Sequence, residues 1–67
     1  MIKVNNIEIP FFSGITVLDV LKITKLFQRA IMAVYVKDVY IKNIEDYKDI
    51  NLVDGDSIKV IFFMEGG

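Results

Sequence analysis

A chain of 67 residues with 54% apolar side chains, no cysteine, no histidine and eight basic against nine acidic groups (net charge −1) reads as one small domain over residues 1–67, held by a core of Ile, Val, Leu and Phe. Disulfides and the usual zinc clusters are excluded as staples. The charge balance, with no basic run, speaks against nucleic acid and anionic membrane as partners, and no apolar stretch reaches bilayer length, so a soluble, cytoplasmic protein is expected.

Ile2, Val4, Ile7, Ile9 and Phe11 alternate with Lys3, Glu8 and Pro10, interrupted at Asn5-Asn6, a pair that tolerates the positive φ of a two-residue hairpin turn. That turn sets Val4 against Ile7 and Ile2 against Ile9, all four on one side, with Lys3 against Glu8 on the other. Pro10 removes a ladder donor, which places the second strand at a sheet edge or at its own end. Ser13-Gly14 then breaks the strand. Thr16-Val17-Leu18-Asp19 has capping-box spacing, and a helix is expected from Val17. Its inner stripe is Val17, Val20, Leu21 and Thr24, continuing toward Phe27 and Gln28, while Asp19, Lys22 and Lys25 lie opposite. Leu26 would fall among those charges, so the regular helix is expected to end near Lys25, with Leu26 to Arg29 as a connector.

Ile31 to Val36 and Val39 to Ile41 form a second pair of β-branched runs joined by Lys37-Asp38, with Val34, Val36, Val39 and Ile41 on the core side and Tyr35 facing Tyr40 on the other. From Lys42 to Asn51 periodicity disappears; one helical turn around Ile44-Glu45-Asp46-Tyr47, pinned by Ile44 and Tyr47, is expected there. Asp54-Gly55-Asp56 reads as a turn with Gly55 at positive φ. Ser57 to Met64 is apolar on both faces, Ile58, Val60, Phe62 and Met64 on one and Ile61 and Phe63 on the other, as suits a central strand. One helix covering one face of five such strands folds most simply with the last strand parallel to the first in the middle of a mixed sheet. That is the α+β, β-grasp (ubiquitin-like) architecture.

The catalytic inventory is nearly empty: no His, no Cys, no P-loop and no serine with a plausible base, so an independent enzyme is not expected. Asp54 and Asp56 admit a metal-pair reading, but in a turn between strands local backbone hydrogen bonds explain them better, and no metal or bound cofactor is expected. Two features remain. The sheet face away from the helix would carry Tyr35, Tyr40, Ile61 and Phe63. This is an ordinary scatter of exposed apolar groups, a patch partly covered by the irregular segment, or a docking surface contiguous with the last strand. Beyond it lie Met64, Glu65, Gly66 and Gly67, and a Gly-Gly end without Cβ atoms can thread a narrow channel and deliver its carboxylate to another protein's active site.

These residues together resemble the ThiS/MoaD family of sulfur carriers over the whole chain: a hairpin opening Ile2-Lys3-Val4-Asn5, a helix entered through Gly14-Ile15-Thr16-Val17, then Met32-Ala33-Val34-Tyr35-Val36, the Leu52-Val53-Asp54-Gly55-Asp56 turn, the Ile58 to Phe63 strand and Gly66-Gly67. Shortness favours the thiamine-pathway branch. The resemblance implies a carrier whose Gly67 carboxylate, with Gly66 giving reach, is adenylated at the expense of ATP by a ubiquitin-activating-type (ThiF-like) enzyme. A persulfide donor such as a cysteine desulfurase then converts it to a thiocarboxylate, whose sulfur passes to a thiazole synthase (ThiG-like). Tyr35, Tyr40, Ile61, Phe63, Met64 and Glu65 are the expected partner-binding residues. The chain departs from the family pattern at Lys42-Asn43 and Tyr47, where an Arg and a Trp are frequent, and at Glu65, where small neutral residues are common. A molybdopterin synthase small subunit, a ubiquitin-like modifier and a binding-only module stay open as alternatives.

Overall fold

The computed structural model describes residues 1–63; the expectations on Met64, Glu65, Gly66 and Gly67 lie outside the described residues. Five strands, β1 (Ile2–Val4), β2 (Ile7–Ile9), β3 (Ile31–Val36), β4 (Val39–Ile41) and β5 (Ser57–Phe62), form one mixed sheet in the order β2-β1-β5-β3-β4, with the helix α1 (Val17–Ile23) between the two hairpins in sequence. β5 is central, parallel to β1 and antiparallel to β3. This is the expected α+β, β-grasp-like arrangement.

Both hairpins have the expected registers: Ile2 with Ile9, Lys3 with Glu8 and Val4 with Ile7 in the first, and Val34 with Ile41, Tyr35 with Tyr40 and Val36 with Val39 in the second. The turn residues supply the positive φ such connections need, Asn5 at 52°, Lys37 at 49° and Asp38 at 67°. β2 is an edge strand that stops before Pro10, as the missing donor requires.

The parallel seam has an extra clasp. β1 ends at Val4 and the chain turns away, yet the Asn5 side chain continues the pairing: its Oδ1 accepts from the Val60 N–H at 2.8 Å and its Nδ2 donates to the Val60 carbonyl at 3.2 Å. The Asn5 N–H donates to the Ile58 carbonyl at 3.0 Å. One side chain thus stands in for one more residue of strand.

Helix α1 begins as its sequence predicts. The Asp19 N–H donates to the Thr16 hydroxyl oxygen at 3.2 Å and the Asp19 carboxylate accepts from the Thr16 N–H at 3.0 Å, a complete capping box. The donors of the first turn go to the segment without periodicity: Val17 N–H to the Ile50 carbonyl and Leu18 N–H to the Tyr47 carbonyl, both at 3.1 Å, while Leu52 N–H donates to the Ile15 carbonyl at 2.9 Å. The irregular stretch is therefore fastened to the helix entrance, and Tyr47 and Leu52 are buried there with Ile15. Burial, and then the neighbouring Tyr40, push the Tyr47 hydroxyl above its ordinary range.

The helix gives way after Ile23, with Thr24 as its C-cap, to Lys25 in the left-handed region (φ 63°) and a 3-10 turn over Leu26–Gln28. That reversal swings Leu26 into the core, whereas a continued helix would have left it among charges. The fully buried side chains are Ile2, Val4, Ile15, Val17, Val20, Leu21 and Val34, with Ile58 and Val60 beside them.

Several expectations of burial need correction. Ile7, Val39 and Ile44 are exposed, Val39 to 61% and Ile44 to 70%, Phe27 and Gln28 are exposed, and Val36 and Ile41 are only half-buried. For Ile7, Val39 and Ile41, which lie on the edge strands, the cause is coverage. A helix is roughly 10 Å across, while five strands about 4.8 Å apart span roughly 19 Å, so both edge strands lie largely outside its shadow. Tyr47 alone pins the turn at Ile44–Asp46.

At the last turn Gly55 has φ 94°. Asp54 meets the Met1 ammonium. Asp56 is buried; its Oδ2 accepts from the Val53 N–H at 2.8 Å and its Oδ1 lies 2.8 Å from the Lys37 Nζ. Burial by itself would raise this carboxyl, but hydrogen bonds from Lys37 and Val53 and the Lys37 charge outweigh it and hold it below the usual aspartate range. Lys37 thereby ties the β3–β4 turn to the turn that launches β5.

Two outcomes follow. Asn5→Ala, which strips both clasp bonds and leaves a residue less tolerant of positive φ than Asn, should cost about 2–3 kcal/mol in urea unfolding, and Asn5→Gly, which strips the same bonds but suits the turn, about 1–2 kcal/mol; an alanine variant as stable as the parent would show that the clasp contributes nothing. The depressed Asp56 carboxyl stabilises the fold fully above its unfolded pKa of about 3.9, and that contribution disappears as pH falls through the lower folded value. The urea midpoint of the parent should therefore drop more steeply below about pH 4 than that of Asp56→Asn; parallel pH profiles would contradict the ion pair.

Candidate functional site

Alternation along the strands places Lys3, Glu8, Ser57, Lys59, Ile61, Ala33, Tyr35 and Tyr40 on the face away from the helix. The face is divided. Charge collects over β1 and β2, through Lys3 and Glu8, and aromatic and apolar surface collects over β3, β4 and the end of β5.

Within the second half Tyr35 and Tyr40 are direct cross-strand neighbours with ring centroids 5.5 Å apart and planes tilted by 41°, a geometry that stabilises the pair beyond area burial alone. On its other flank Tyr35 pairs with Lys59 and Ala33 pairs with Ile61. Tyr35, Asp38, Lys59 and Ile61 line one shallow depression. Tyr35 and Ile61 are half-buried, Tyr40 is 47% exposed and Phe63 is 57% exposed. Phe63 stands apart from the tyrosines: its N–H donates to the Ala30 carbonyl at 3.0 Å, at the far end of β3. The expected residues thus form an elongated strip along β3, roughly 16 Å from Tyr35 to the Phe63 end, and at its β4 flank Tyr40 lines depressions together with Ile44, Asp46, Tyr47 and Asp49 of the irregular segment.

A β-bulge interrupts the β3–β5 ladder between Ile31 and Ala33, leaving Met32 exposed. Beside it the Arg29 guanidinium lies 4.0 Å from the centroid of the Phe62 ring, a cation–π contact that covers the helix-side end of β5. Arg29, Phe27, Ile31, Met32, Ile41 and Tyr47 line a groove below the β3–β4 edge. Sequence reasoning missed it. Its walls depend on the reversal at Lys25 and on the bulge, neither of which carries a glycine or proline signal; the one clue was the misfit of Leu26.

Among the described residues no group of three or more His, Cys, Asp or Glu side chains converges as for a metal ion, and no helix is long and apolar enough to cross a membrane. Asp54 and Asp56 are spent on the Met1 ammonium and on Val53 and Lys37 respectively. The expected reacting group, Gly67, with Gly66, Glu65 and Met64, lies outside the described residues. No protein-family model, curated protein or solved structure matches this chain.

Proposed function

We propose that this chain is a sulfur carrier of the ThiS/MoaD kind, working in the cytoplasm as a protein co-substrate. The observation that carries the reading is the position of β5: central, paired on both edges, and leaving the sheet at Phe63 beside an exposed aromatic strip, with Gly66-Gly67 a short distance further along the sequence. A rigid central strand holds the exit point steady, and glycines without Cβ atoms let a carboxylate enter a confined site.

In this reading a ThiF-like adenylating enzyme docks on Tyr35, Tyr40, Ile61 and Phe63 and binds the ATP. The Gly67 carboxylate attacks the α-phosphorus and releases pyrophosphate, which replaces a poor leaving oxygen with AMP. The outer sulfur of a persulfide, delivered from a cysteine desulfurase or similar donor, then attacks the acyl carbon and displaces AMP to give an acyl disulfide; a second thiol attacks the donor's inner sulfur, which releases the thiocarboxylate and leaves a disulfide on the donor side. The carrier contributes the reacting terminus and the docking face, and its partners contribute the catalytic groups. The sulfur acceptor in the thiamine branch is a thiazole synthase.

The deciding measurement is intact mass after incubation with ATP, an adenylating enzyme of this type and a persulfide donor. The expected product has one oxygen replaced by sulfur, at Gly67. An unmodified mass, with no adenylate formed, would leave a binding module instead, and an isopeptide link to a lysine would identify a modifier. Removal of Gly67 should abolish loading while leaving the circular dichroism spectrum and urea midpoint unchanged. Phe63→Asp should weaken adenylating-enzyme binding by roughly tenfold or more, as expected for burying a charge in an aromatic contact; unchanged affinity would remove Phe63 from the docking face.

A further inference from the structure

The sheet has two edges, and they are protected differently. At one edge β2 carries Glu8 between Ile7 and Ile9 and is followed at once by Pro10, a charge and a missing donor, both of which discourage addition of another strand. At the other edge β4 reads Val39-Tyr40-Ile41, with neither charge nor proline inside it and with Val39 and Tyr40 exposed.

The turn dictates which backbone groups this edge offers. In a hairpin closed by two residues, the pair flanking the turn exchanges both hydrogen bonds and the next pair exchanges none. Lys37-Asp38 closes such a hairpin between Val36 and Val39, so Val39 and Ile41 direct their N–H and C=O groups to β3 and Tyr40 directs its pair outward. Among the described residues no strand lies on that side of β4 and no backbone group bonds to Tyr40 there.

We propose that β4 is a self-association edge, at which a second copy of this chain adds its own β4 antiparallel across a two-fold axis through Tyr40. The sequence around the axis is self-complementary. Tyr40 meets the partner's Tyr40 once, on the axis, as a doubly hydrogen-bonded pair; Val39 meets the partner's Ile41, and beyond the strand ends the Asp38 turn faces the partner's Lys42, each of these two contacts occurring twice by symmetry. Asp38 and Lys42 are exposed, and among the described residues neither has an ion-pair partner within its own chain. Other registers fail. A shift of one residue sets outward backbone groups against inward ones, and a shift of two loses both charge pairs. The product is one continuous sheet through both copies, with the Tyr35–Tyr40 row extended across the axis. This inference does not depend on the carrier reading.

The contact is small beside a standard interface of roughly 1,600 Å², so the dimer is expected at concentrations on the order of 100 µM. Sedimentation equilibrium on the full chain between about 10 µM and 1 mM should show the average mass rising toward two copies. Asp38→Lys makes both ends of the edge positive and Lys42→Asp makes both negative, so each variant alone should associate roughly tenfold more weakly. An equimolar mixture of the two should recover association, because each end then meets its opposite. A parent that stays monomeric throughout, single variants that associate as the parent does, or a mixture that recovers nothing would overturn the proposal. Should either variant fail to fold, amide exchange on the parent decides. The Tyr40 N–H is expected to gain protection as concentration rises, and equal exchange at low and high concentration would overturn the proposal.

Discussion

Everything in this fold depends on pairing β5 along both of its edges. A central strand whose inner face, Ile58 and Val60, is buried cannot be left with open backbone groups, because each unpaired N–H or C=O in an apolar setting costs on the order of 1–3 kcal/mol. β3 satisfies one edge over the whole ladder from Val36 with Ile58 to Ile31 with Phe62. β1 is only three residues long and satisfies less of the other. The Asn5 amide makes up part of the difference at Val60, which gives this residue two tasks, one in the backbone of the turn and one in the ladder of the neighbouring strand.

A second set of ties holds the irregular parts to that sheet. The first-turn donors of α1 find the carbonyls of Tyr47 and Ile50, so the segment without periodicity is ordered by the helix entrance and in return completes it. Lys37 and Asp56 join two turns that are distant in sequence. Their pair is favourable because the ammonium remains largely in water while the buried carboxylate also accepts the Val53 N–H, which avoids the full desolvation cost of burying two charges. With the interior fastened in this way, the open face needs no further covering, and its aromatic strip is left available beside the exit of β5.

What the strip can do is set by its shape. An elongated row of half-buried and exposed side chains along β3 flanks an open depression lined by Tyr35, Asp38, Lys59 and Ile61, and this is the relief on which the proposed docking would rest. The tyrosines rest against each other, so a partner docking on them would meet a pair already in contact, whereas Phe63 is tied to Ala30 through its backbone and its side chain stays exposed.

The amino-acid sequence by itself determined both hairpins and their registers, the capped start of α1, the Asp54-Gly55-Asp56 turn and the central place of β5. These are written in contiguous residues: a period of two, a two-residue turn with side chains tolerant of positive φ, and a capping box three residues apart. Tyr35 facing Tyr40 followed from register alone. Coverage was decided only in three dimensions. Ile7 and Val39 carry the same apolar signal as Ile2, Val4 and Val34, but they lie on the edge strands, away from the single helix of seven residues. The reversal at Lys25, the bulge at Met32 and the reach of Asn5 to Val60 across 55 positions are likewise settled by packing partners remote in the chain, because local pattern reports what a segment can form and not what will lie against it.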